Sequence, residues 1–162
     1  MCKMKAEKIN WVKDIDWNKK LVVFFGDEVK KYIHHIKICR KGEIELFPEH
    51  NCDHPWEHVE FIEHKNVLLS RVDDRKFVVV TNSSYIIDHL TNLMKGARVI
   101  ANPNFTRSGN VESYIDKKDV VVYVCTNGKI KNAMPKNGEI IKWDNLSEVA
   151  EWLANIYFDM GD

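Results

Sequence analysis

The 162-residue chain has seven glycines, and no two of them stand five positions apart. A Gly-x-x-x-x-Gly-Lys-[Ser/Thr] loop is therefore absent. With it go the backbone N–H groups, lysine and hydroxyl that hold a nucleotide's phosphates and magnesium. A Gly-rich dinucleotide loop, a Gly-x-Ser-x-Gly elbow and a cysteine with a plausible His-Asn set are also missing. The four cysteines, Cys2, Cys39, Cys52 and Cys125, form no Cys-x-x-Cys pair. They read as free thiols of an intracellular protein, with Cys39 and Cys125 in the core. Apolar runs such as Leu21–Phe25 stop after a handful of residues, far short of a membrane-spanning helix. The N-terminus has lysines but no apolar segment before a cleavage site, which argues against secretion and for a cytoplasmic location. Twenty-four basic residues cancel 24 acidic ones, so no global field steers the chain to nucleic acid or to an anionic membrane. Zero net charge favours self-association, as in a homodimer, or a permanent partner.

What is present is the material of one compact domain. Hydrophobic residues at 44% and charged residues at 30% are ordinary for a soluble globular chain. This length buries about 70% of the unfolded surface. Residues 1–20 form a lysine-rich lead-in whose Trp11 and Trp17 pack on the body. Leu21–Phe25 is a buried strand closed by Gly26, and Val29, Tyr32, Ile33 and Ile36 make Asp27–Cys39 an amphipathic helix. Arg40-Lys-Gly42 supplies positive charge and a glycine at its end. Ile44, Leu46 and Phe47 make a short strand stopped by Pro48. Pro55 opens a helix to about Arg71 that buries Trp56, Val59, Ile62, Val67 and Leu69. After a turn at Asp73-Asp74, Phe77–Thr81 is a strand buried on both faces. Ser83 or Ser84 caps the next helix, which buries Ile86, Leu90, Leu93 and Met94 and ends at Gly96. Ala97–Ala101 reads as a strand and Asn102–Ser113 as a loop. Asn127-Gly128 predicts a type I′ hairpin between Asp119–Thr126 and Lys129–Met134. Asn137-Gly138 leads into Glu139–Trp143, and a last helix spans 144–157. The expected class is α/β: a mostly parallel sheet flanked by helices, with a C-terminal β-hairpin and helix. Within one domain, 1–20 is the lead-in, 21–101 the core, and 102–162 the loop, hairpin and tail.

Four segments, in order, resemble the C-terminal lobe of ABC-type, SMC-like ATPases, including the RecF-like and overcoming-lysogenisation-defect branches. Phe24-Phe-Gly-Asp-Glu-Val-Lys-Lys-Tyr-Ile resembles the signature loop and its helix. Gly42-Glu-Ile-Glu-Leu-Phe-Pro-Glu-His-Asn-Cys-Asp-His-Pro55 resembles the Walker B strand and its Leu-His-Pro loop. Phe77–Leu90, with Thr81-Asn82-Ser83, is similar to the switch strand and helix, where the family carries Thr-His-Ser. The stretch 119–157 is similar to the tail after the switch. The resemblance implies a nucleotide face, and the departures imply its loss. Phe24 stands for the signature serine, Gly26 is kept, and Glu28 replaces a glycine that allows close phosphate approach. Phe47 and Pro48, or in a shifted register Leu46 and Phe47 before Pro48-Glu49, stand for the acidic pair. Asn82 stands for the histidine and cannot carry its charge.

Two other chemistries are written in part. His50, Cys52, His54 and His58 place three imidazoles and a thiol within nine residues, as a zinc protein would. Their spacing matches no standard zinc pattern, and Pro55 favours a helix start after His54. Glu43, Glu45 and Glu49 beside Asp53 suggest a two-metal nuclease, but Glu43 and Glu45 alternate on one side of a strand, as a solvent face does. His34 and His35 are adjacent on a helix, and His64 and His89 have no partner in sequence. The loop residues Phe105 and Arg107 read as a surface loop able to touch a phosphate or a partner.

The reading is thus a catalytically inactive ATPase-like chain, without cofactor, that binds another protein, expectedly an ABC-type ATPase. A phage-borne decoy, inhibitor or trigger of a defence ATPase fits it. The alternative is a metal-dependent nuclease or zinc protein.

Overall fold

A computed structural model describes residues 10–47, 54–71, 74–100, 114–138 and 141. Five strands form one sheet: β1 (Leu21–Phe25), β2 (Glu43–Phe47), β3 (Phe77–Thr81), β4 (Val120–Thr126) and β5 (Lys129–Asn132), in the spatial order β2-β3-β1-β4-β5. The first four run parallel, and β5 returns antiparallel to β4. Three helices connect them: α1 (Ile33–Cys39), α2 (Pro55–Arg71) and α3 (Ser84–Ile100). The fold is α/β.

Parallel strands covered on both faces must be apolar at every position. All five residues of β1 and of β3 are buried accordingly. Leu21, Val23, Phe77, Val79 and Val122 face one core together with Ile62 and Leu69 of α2 and Ile86, Leu90 and Leu93 of α3. Val22, Phe24, Val78, Val121 and Cys125 face the other, with Ile36 of α1 and Trp17 of the lead-in. Trp11 and Trp17 pack on the body as the sequence suggests, their rings 6.2 and 5.9 Å from Phe24. The lead-in is tied down by Tyr123, whose hydroxyl accepts the Asp16 N–H at 2.9 Å. Asn127 (φ 50°) and Gly128 (φ 69°) make the expected hairpin turn. No helix among the described residues is long and apolar enough to cross a membrane.

Several expectations are corrected. The helix expected over Asp27–Cys39 is split: a 3-10 turn, Val29–Lys31, precedes α1, with Tyr32 between them. Gly42 does not terminate α1, because Arg40 already leaves in an extended conformation. Instead, Gly42 (φ +119°) lets β2 start against β3, since a Cβ there would lie 2.7 Å from the Lys76 carbonyl oxygen. Along α2 the buried stripe is His58, Ile62, Asn66 and Leu69, which leaves Trp56 67% exposed rather than inward. Cys39 is only half-buried, whereas Cys125 is fully so. Asp119 ends a 3-10 turn rather than beginning β4. The region Asn102–Ser113, the Asp73 turn residue and the helix expected over 144–157 lie outside the described residues. So does the strand expected over Glu139–Trp143, apart from buried Ile141.

The largest correction is at Gly96. Instead of ending there and giving way to a strand over Ala97–Ala101, α3 continues to Ile100. A Cβ on Gly96 would fall 2.0 Å from the Tyr114 ring, so this glycine serves close packing rather than helix termination. Gly96→Ala should destabilise the fold by about 1–2 kcal/mol through overpacking. In a Tyr114→Ala background the same change should stabilise by about 0.5–1 kcal/mol, because helix propensity alone then acts. Urea denaturation of the four proteins of this cycle checks the reversal of sign.

Candidate functional site

The connections after β1 and β3 leave for opposite faces: β1 leads to α1 over the second core, β3 to α3 over the first. In open α/β sheets ligands bind outside the carboxyl ends of strands at such a switch point. Three residues singled out in the sequence meet at this edge. Gly26 follows β1, Phe47 ends β2 and Asn82 follows β3. The Gly26 N–H donates to the Thr81 carbonyl at 3.3 Å, which closes the gap between β1 and β3. Gly26 has φ +130°, and a Cβ on it would lie 2.5 Å from the Cys125 carbonyl oxygen, so only glycine fits.

On the α2/α3 side the edge is filled by rings and one polar pair. Phe47 stacks on Phe61 at 4.3 Å and meets His58 edge-on at 5.0 Å. His58 Nδ1 lies 2.5 Å from Ser83 Oγ. Ser83 is the residue that caps α3: its hydroxyl accepts the Ile86 N–H at 3.4 Å, and its own N–H donates to Thr81 Oγ1 at 3.0 Å. A Ser–His contact suggests nucleophilic chemistry, but Ser83 is only 5% exposed and its oxygen is committed to the helix end. The pair therefore acts as a lock between α2 and α3. Beside it, Tyr85 is 49% exposed with its ring 5.6 Å from His58, and Trp56, in the first turn of α2, is 67% exposed.

The remaining sequence candidates separate. Phe24 is not at the edge: it lies inside β1, fully buried, stacked on Tyr123 at 5.6 Å. Pro48, Glu49, His50 and Cys52 lie outside the described residues. His54 is exposed ahead of α2 while His58 points into the core, so these two do not share a face. No group of three His, Cys, Asp or Glu able to hold a metal occurs among the described residues. The two strand carboxylates suggested for a nuclease are each held by a cation. Glu43 takes Arg75 through two contacts of 3.2 Å, and Glu45 takes Lys65 at 2.8 Å. His89, isolated in sequence, lies 2.8 Å from Glu63 of α2. His34 is exposed on α1 with the His35 ring 5.9 Å away.

Glu28 is engaged within the chain. Its carboxylate accepts the Gly128 N–H at 2.7 Å and the Lys31 ammonium at 3.1 Å. The Gly128 bond first, then Lys31, holds this carboxyl below the usual glutamate range. The contact latches the turn after β1 to the hairpin across 100 positions. Beneath it, burial pushes the Cys125 thiol up to about 12, with Glu28's charge adding to the effect. Neither a protein-family model nor a curated protein nor a solved structure matches this chain.

Ser83→Ala removes both a cap and the partner of a buried imidazole, and should cost about 1–3 kcal/mol in urea denaturation. Ser84→Ala, one residue inside α3, should stay within about 0.5 kcal/mol. Cys125 predicts an alkaline effect. An unfolded thiol loses its proton near pH ~8.5, the folded one at about 12. The stabilisation is complete below the lower value and is lost as pH rises toward the upper one. Unfolding free energy should therefore fall more steeply over that window in the native chain than in Cys125→Ala.

Proposed function

We propose that this chain is a catalytically inactive relative of ABC-type, SMC-like ATPase lobes that works by binding another protein. The supporting observation is the composition of the carboxyl edge. Phe47 stands where the resemblance calls for an acidic residue, and it is engaged with Phe61 and His58. Asn82 is exposed at the end of β3, and the turn after β1 is held by Glu28 rather than left open for phosphate. Trp56 and Tyr85, in the first turns of α2 and α3, add two exposed aromatic rings. Aromatic side chains are enriched in protein interfaces and carry a large share of binding energy there. Lobes of the resembled family pair across their nucleotide faces, so the fitting partner is a full-length ABC-type ATPase, with this chain as decoy, inhibitor or trigger. Host cytoplasm is the fitting location, and a mobile genetic element the fitting origin.

The test is affinity capture from the native host read by mass spectrometry, followed by reconstitution with the purified partner. An ABC-type ATPase should be recovered, and Trp56→Ala with Tyr85→Ala should weaken the reconstituted complex at least about tenfold, a hot-spot effect. The isolated chain should not hydrolyse ATP. Hydrolysis that disappears on changing Glu49 or Asn82 overturns the reading.

A further inference from the structure

On the second face of the sheet, the 3-10 helix Asn10–Asp14, the segment before α1 and the hairpin surround a cleft of about 440 Å³. Small-molecule sites commonly fall at ~300–1,000 Å³. Its charged lining has one sign: Lys31, Lys129 and Lys131, with His35 beside them. Lys129 and Lys131 are exposed on the edge strand of the described sheet. In a chain of zero net charge this is a local positive field, and such fields raise the local concentration of anions. The apolar wall is Trp11 and Tyr32, whose rings meet edge-to-face at 5.5 Å, with Ile130 packed against the same core.

The wall already shows which chemistry it accepts. Gly128 and Lys31 both line the cleft, and together they hold the Glu28 carboxylate from behind. An intramolecular anion thus uses part of the donor set, while Lys129 and Lys131 face no carboxylate among the described ion pairs. We propose that this cleft binds a small anion carrying a planar ring, the ring against Trp11 and Tyr32 and the anionic group between Lys31, Lys129 and Lys131. The site is independent of the aromatic edge assigned to a protein partner, and Glu28 is its built-in competitor.

Phenyl phosphate, inorganic phosphate and phenol separate ring from charge in a titration followed by amide and indole NMR. Phenyl phosphate should give saturable shifts at Gly128, Lys129, Lys131 and the Trp11 indole, and should bind more tightly than either half alone. Changing Lys129→Ala and Lys131→Ala together should weaken it at least tenfold while the unfolding midpoint is unchanged. Glu28→Gln keeps an acceptor for the Gly128 N–H and removes the competing charge. It should tighten binding about two- to fivefold, the scale of an exposed ion pair. Absence of saturable shifts, or equal affinity in the double variant, overturns the site. Inorganic phosphate or phenol binding as tightly as phenyl phosphate overturns the ring-and-anion assignment. Unchanged affinity in Glu28→Gln overturns the role given to that residue.

Discussion

The burial of β1 on both faces is the constraint from which the rest of the structure follows. Leu21–Phe25 has no polar side chain, and its neighbours β3 and β4 satisfy its backbone on both sides. Each face then needs its own apolar cover. The first face receives α2 and α3, the second the short α1 and the tryptophans of the lead-in. With α1 only seven residues long, the second cover is completed by side chains of unusual size, Trp11, Trp17, Tyr32 and Tyr123 around Phe24. Aromatic rings bury large areas at small entropic cost, so they replace a longer helix. The Trp11 indole N–H is buried with no acceptor among the described residues, a cost that the packing of its ring must outweigh.

The same strand sets the character of the carboxyl edge. Gly26 must leave β1 under the Cys125 carbonyl and beside Thr81, so the turn is tight and its backbone is committed to the neighbouring strands. After Asp27 and Glu28 the chain enters 3-10 structure at Val29, whose N–H donates to the Gly26 carbonyl at 3.2 Å. At β2 the edge ends in Phe47, whose ring is engaged on both sides. Among the described residues at this edge, Phe47 is apolar, Ser83 and the Gly26 N–H are hydrogen-bonded, and Asn82 is exposed.

How far the sequence carries this is decided by the range of each interaction. Strands Leu21–Phe25 and Phe77–Thr81 were legible because burial on both faces writes a continuous apolar run. Helix Pro55–Arg71 was legible from its proline start, and the Asn127-Gly128 turn from its demand for positive φ. Gly96 is not legible, because a helix-ending glycine and one covered by a ring look alike until Tyr114 is placed on it. Trp56 is hydrophobic yet exposed, because the buried stripe passes through His58 and Asn66, two polar residues. For the site, the sequence gathered Gly26, Phe47 and Asn82 only through a family resemblance. The contact of His58 with Ser83 and that of Glu28 with Gly128 span 25 and 100 positions and leave no local signature.

Those two contacts also separate the two proposed surfaces. The Ser83–His58 lock fixes α2 to α3, with the exposed Tyr85 ring beside it. The Glu28 latch fixes the hairpin to the β1 turn through charge and stands beside three lysines. Between them lie β1 and β3, close-packed and fully buried. The two contacts have no residue in common, and energies of well-separated sites add. A change at the aromatic edge should therefore leave the basic cleft intact, and the reverse. The two proposed surfaces, the aromatic edge and the basic cleft, can thus be tested one at a time on one small sheet.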